Sequence, residues 1–159
     1  MKKTLMSIAV IFCAAMAMTL TSCKKDAEDL IIGDWDYVNA EIKYSVSGLT
    51  GEYAMYNQDT TAIEEPEAGE SQTITFRKDG TFTMSSTYPE EGTQTENGTY
   101  TIENENITLT VNNEPQVFQL AVDKKTLSLT LTETQQLPLE ENQVATMTYS
   151  VKMNFNKKK

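Results

Sequence analysis

The side chains that most often carry covalent or proton-transfer chemistry are nearly missing from this chain. It contains no histidine and only two cysteines, Cys13 and Cys23. That removes serine–histidine and cysteine–histidine nucleophile pairs, histidine metal sites and the commonest general base. Carboxylates are plentiful, but the pairs Glu64–Glu65, Glu90–Glu91 and Glu140–Glu141 are neighbours in sequence. Neighbours on extended chain point apart, so none of these pairs is suited to act across a cleft as an acid and a base. No acidic run has the spacing of a calcium loop. We therefore expect no enzyme, no catalytic residue, no metal and no cofactor. The net charge of −10 repels phosphate backbones, so nucleic acid is not expected as a partner.

One cysteine does have a chemistry available. Lys2 and Lys3 precede an apolar run from Leu5 to Leu20, and small residues lead from there to Cys23. This is the layout of a secretory signal peptide, and the run is too short and too interrupted to span a bilayer comfortably. The residues Leu20-Thr21-Ser22-Cys23 resemble the lipobox of bacterial lipoproteins. The resemblance implies cleavage before Cys23, a thioether-linked diacylglycerol on its sulfur and an acyl chain such as palmitate on its amine. It divides the chain into a signal peptide at 1–22, a lipidated cysteine and tether at 23–29, and a folded domain at 30–159. The partner it implies is a membrane, reached through lipid. Lys24 resembles the residue that lets lipoproteins proceed to the outer membrane. Asp26, Glu28 and Asp29 are similar to charged signals that carry such proteins to the cell surface. An outer-membrane anchor facing periplasm or surface is the expectation, and the mature domain has no thiol left for a disulfide.

The elements that would position any site are strands. Apolar side chains alternate with Thr, Ser and charge around Ile74 and Phe76, Phe82 and Met84, Tyr100 and Ile102, Leu109, Leu129, and Met147 through Phe155. A period of two with one apolar face is what a half-buried antiparallel strand requires. The runs predict eight strands, at 34–46, 71–78, 81–88, 98–103, 106–111, 116–122, 126–132 and 143–155. Turn chemistry separates them at Asp79-Gly80, Asn97-Gly98, Asn104 to Asn106, Asn112 to Pro115 and Asp123 to Lys125. Short connections make sequence neighbours spatial neighbours, so the expected fold is all-β, an eight-stranded antiparallel up-and-down meander closed into a barrel. Two longer loops are expected, at 48–70 and 133–142.

At Gly33-Asp34-Trp35 the chain resembles the lipocalin superfamily, and in particular the lipocalin-like lipoproteins of Bacteroidetes. Further similarity lies in Asp79-Gly80-Thr81-Phe82, Gly98-Thr99-Tyr100-Thr101-Ile102 and Leu127-Ser128-Leu129. The resemblance implies that Gly33 and Trp35 mark the start of the first strand, with the indole plugging the closed end beneath a basic residue from a late strand. Here the sequence departs from the pattern. The only arginine, Arg77, falls on the second predicted strand, and only Lys152 lies late enough to take the place of that basic residue.

The remaining candidate site is the apolar lumen. Phe76, Phe82, Met84, Tyr100, Met147 and Tyr149 fall on its predicted lining, with Tyr53, Met55 and Tyr56 closing the open end. Methionine provides an adaptable wall if a cavity exists and a gap-filler if it does not. Two functions follow. One is a lipid-anchored module holding a small hydrophobic molecule, and the other is a filled barrel contacting another envelope or extracellular component. Asp59-Thr60-Thr61 is similar to O-glycosylation sites of exported Bacteroidetes proteins, which makes Thr60 a candidate in an exposed loop. Oligomeric state is not set by any of these features.

Overall fold

The computed structural model describes residues 27–138 and 144–159. The signal peptide, Cys23, residues 24–26 and the Glu140–Glu141 pair lie outside the described residues. A helical turn over 27–31 leads into nine strands: β1 Gly33–Ser47, β2 Gln58–Glu64, β3 Ser71–Phe76, β4 Thr81–Tyr88, β5 Gly92–Glu103, β6 Asn106–Val111, β7 Glu114–Val122, β8 Thr126–Pro138 and β9 Val144–Lys157. Their order in the sheet is β2-β1-β3-β4-β5-β6-β7-β8-β9, and β1 also pairs with β9. That last pairing runs from Trp35 opposite Lys157 to Ser47 opposite Thr146, with a bulge at Tyr37/Asn39. It closes β1 and β3 to β9 into the expected eight-stranded antiparallel up-and-down barrel.

The alternation read from sequence is the alternation of the pleat. Ile74 faces Met84, Phe76 faces Phe82, Ile102 faces Ile107, and Leu129 faces Met153. Each pair lies on the inner side, while Thr73–Ser85, Thr83–Asn97 and Thr101–Thr108 pair on the outside. Burial of Trp35, Ile74, Phe76, Phe82, Ile107, Leu127, Leu129 and Phe155 to 2% exposure or less supplies the apolar area that holds the sheet curved, at roughly 25 cal/mol per Å². Asn112 and Asn113 both have positive φ, 52° and 67°. They form the two-residue link between β6 and β7 that a primed hairpin turn requires.

Four expectations need correction. The expected loop at 48–70 contains a short 3-10 helix, Gly51–Tyr56, and then β2, which pairs along Ala40 to Val46 of β1. Every residue of β2 is exposed, so it carries no apolar alternation to be read. Asn97-Gly98 is not a turn; it lies within β5, where Asn97 and Gly98 pair with Thr83 and Phe82. The β4–β5 connection falls at 89–91 instead, followed by Gly92 at φ 77°. The expected loop at 133–142 is in part strand, because β8 continues to Pro138 opposite Val144. Finally, residues 27–29, expected to be the end of the tether, form a helical turn with Leu30 and Ile31, and Ile31 is fully buried in the core.

The ladders have unequal lengths, and this shapes the barrel. β8 pairs with β9 along its whole length, yet it pairs with β7 only from Leu127 to Thr130. β7 follows β6 up to Glu114. Above Gln119 and Thr130 no ladder joins the two strands, and a slot opens in the wall there.

Candidate functional site

The closed end is built around Trp35. Its indole N–H donates to the Ile31 carbonyl oxygen at 2.7 Å, so the helical turn at 27–31 covers the barrel floor. The Lys157 ammonium stands 4.8 Å from the indole ring centre, and donates to the carbonyls of Leu30 and Ile32 at 3.1 and 2.9 Å. The late-strand cation is thus Lys157. Lys152 instead lies opposite Thr130 and Glu41 on the outer phase of β9. Gly33 has φ 125°, and a Cβ there would lie 3.2 Å from Lys157 Cε. Glycine therefore serves both the turn into β1 and the passage of the lysine above it.

Tyr100 also belongs to this end. Its hydroxyl donates to the Arg77 carbonyl at 2.8 Å, and its ring meets Phe76 edge-on at 5.0 Å. Burial raises its pKa above the usual tyrosine range, helped by the Asp79 and Glu28 carboxylates. Phe76 is held between Tyr100 and Phe82. Of the proposed lining residues, Phe76 and Tyr100 form the packed lower half of the barrel and do not line the cavity above it.

That cavity measures about 920 Å³. Ile74, Phe82, Leu129 and Phe155 form its floor, and Met84, Leu109, Val111, Leu131, Val151 and Met153 its walls. Phe82 and Met84 are the two candidate residues brought together here, and the Gln72 amide donates to the Met84 sulfur at 3.1 Å. Gln72, Glu96, Glu114, Gln116 and Glu133 form the polar rim. The three glutamates went unnoticed in the sequence because each lies one or two residues beyond a predicted strand end. Their signal was phase: Glu96 stands opposite Met84, Glu114 opposite Val111, and Glu133 opposite Tyr149.

Met147 and Tyr149 lie higher on β9, in a separate depression with Tyr44, Glu133, Thr134 and Gln135. They keep the inward phase, but β1, β8 and β9 extend beyond the shorter strands. No opposing wall covers them there, and Tyr149 is 43% exposed. Tyr53 and Tyr56 do not line the cavity either. Asn57 accepts from the Leu49 amide at 3.1 Å and donates to the Leu49 carbonyl at 2.9 Å, tying the 3-10 helix to the end of β1. Met55 and Tyr56 are exposed. Thr60 is an exposed residue of β2 opposite Tyr44, so it sits on a strand and not in a loop. Among the described residues no cluster of three or more His, Cys, Asp or Glu could hold a metal ion.

Residues 67–142, spanning β3 to β8, match the model of the NlpE N-terminal domain family. The match covers just under half of the 159 residues, and the fold it falls on is a closed eight-stranded antiparallel barrel. NlpE is an envelope lipoprotein family. No curated protein matches the sequence. Solved structures similar to it include two from Bacteroides. One is a lipocalin-like protein from Bacteroides uniformis ATCC 8492, with 15% identity and a TM-score of 0.46 over 80% of this chain and 98% of that one. The other is an uncharacterized protein from Bacteroides eggerthii DSM 20697, with 12% identity and a TM-score of 0.45 over 80% and 99%.

Proposed function

We propose that this lipocalin-like barrel is a binding protein and not an enzyme, anchored by lipid on Cys23 to the outer membrane, facing periplasm or surface, and holding a small hydrophobic molecule in its lumen. The observation that carries the reading is the cavity. Its volume of about 920 Å³ falls within the range of ligand sites, which are apolar hollows with a few polar groups at defined places. Its floor is buried, its walls include two methionines, and its polar groups stand at the mouth. A filled barrel working only through its outer face has no use for such a space.

The anchor fits this arrangement. Cys23 precedes the closing turn at 27–31 by four residues in sequence, a span of at most about 14 Å when extended. Lipid on Cys23 would therefore hold the closed end toward the bilayer and the mouth away from it. Two measurements test the proposal. Cys23→Ala should abolish palmitate labelling and release the protein from membranes, because several buried acyl chains supply the attachment; a variant that stays membrane-bound after carbonate washing refutes the anchor. Native mass spectrometry of the protein from its own host should reveal a retained small molecule. A ligand-free mass, together with no uptake of an apolar fluorescent probe, refutes the binding function.

A further inference from the structure

The lumen's polar groups carry one sign of charge. Three ionisable side chains line the cavity, Glu96, Glu114 and Glu133, and no lysine or arginine does. The ladders place each on the inward phase of its strand. Among the described residues, none of the three is held in a hydrogen bond or an ion pair. The lysine that does reach inside the barrel, Lys157, is spent at the opposite end on Trp35 and two carbonyls.

The positions matter as much as the sign. Glu114 and Glu133 stand on the two banks of the slot between β7 and β8, since β7 and β8 pair only from Gln119 and Thr130 downward. Glu96 lies on the part of β5 that pairs with β4 and extends beyond the ladder to β6. Glu133 also borders the depression holding Tyr44 and Tyr149, whose rings are available to a cation. A molecule that lays its apolar body on Phe82, Leu129 and Phe155 must leave its polar end among these carboxylates.

We infer that the lumen selects an apolar molecule bearing a positive charge, an alkyl or aryl ammonium, over neutral or anionic molecules of the same size. The inference rests on the lumen-binding reading above and assigns its ligand class. The apolar body gives up water contact at the floor, as it would for any hydrophobe. The ammonium stays at the wet rim, so it loses little hydration while sharing three unpaired carboxylates. A carboxylate at the same depth meets three like charges, adding to the repulsion from a chain with net charge −10.

The test is calorimetric titration of the full Cys23→Ser chain, free of lipid that could compete for the lumen, with octylammonium, octanol and octanoate. Rim ion pairs of ordinary strength predict about tenfold tighter binding of octylammonium than of octanol, with octanoate weakest. The preference should shrink at about 0.5 M salt, where the Debye length falls to a few ångströms. The triple variant Glu96→Gln, Glu114→Gln, Glu133→Gln should erase the preference, so that octylammonium binds no tighter than octanol, in a barrel that still melts cooperatively. Equal affinity for octylammonium and octanol, tighter binding of octanoate, or a preference that survives the triple variant overturns the ammonium selectivity and leaves the lumen reading intact. Failure of all three probes to bind overturns both.

Discussion

Replacing Lys157 with methionine isolates the contact that ties the last strand to the first turn. The ammonium lies 4.8 Å from the Trp35 ring centre, a cation–π contact worth about 1 kcal/mol at a half-buried position. It also makes two hydrogen bonds to main-chain carbonyls, each worth about 1.5 kcal/mol at the lower end for a charged donor. Desolvation of the half-buried ammonium cancels roughly half of this sum, and methionine keeps the packing of the stem. The net loss should be about 2 kcal/mol, or roughly 6–10 °C in melting temperature for a domain of this size. Because Trp35 is the only tryptophan, its emission reports the same event and should shift when the cation leaves its face. Repeating the substitution in a Trp35→Leu background should give a coupling of about 1 kcal/mol. A melting temperature within about 2 °C of the parent, with unchanged emission and no coupling, would refute the reasoning.

Trp35→Ala removes a fully buried indole and should cost about 3–5 kcal/mol; the parent's emission should be blue-shifted and resist acrylamide, and a red-shifted, readily quenched spectrum would count against the plug. Gly98→Ala should cost about 2 kcal/mol or more, because a Cβ there would collide with the Thr110 carbonyl oxygen and stand 2.6 Å from the Phe82 ring. An unchanged denaturation midpoint would show that this close approach is not needed. Asp79 and Asp123 are both held below the usual carboxylate range. The cause at Asp79 is the Thr81 hydroxyl and amide, and at Asp123 the amides of Lys125 and Thr126. A depressed folded-state pKa gives stability that is present above the unfolded value and is lost as pH falls through the folded one. Melting temperature should therefore hold from neutral down to about pH 5 and drop below about pH 4, less steeply in an Asp79→Asn, Asp123→Asn variant. Equal acid sensitivity in that variant would refute the assignment.

The barrel was legible because its inner face is written in period two. Ile74 and Phe76, Phe82 and Met84, and Leu127 through Leu131 each announce a strand whose partner can be guessed from the turn beside it. β2 was not legible because 58–64 buries nothing: Ile63 is its one large apolar residue and is 65% exposed, so its place rests on main-chain pairing with β1. The helical turn at 27–31 is too short to show a period. Lys157 escaped because β9 was ended two residues early, before the position that meets Trp35. The rim escaped for a related reason. Glu96, Glu114 and Glu133 extend strands with charged residues, and charge at a strand end reads as loop when only composition is visible. Whether the lumen is hollow depends on relative ladder lengths, which the sequence of any one strand does not contain.

The pairing of β1 with β9 sets the order in which this protein can be made. Trp35 and Lys157 are neighbours across that ladder, although nearly the whole domain separates them in sequence. Closing so long a loop costs only about 0.6 kcal/mol more for each doubling of its length, so the penalty falls mainly on rate. A chain emerging N-terminus first holds half of a ladder along β1 and a floor without its lysine until the final dozen residues arrive. It stays unclosed throughout that interval, with the free edges of β1 and β8 waiting for β9.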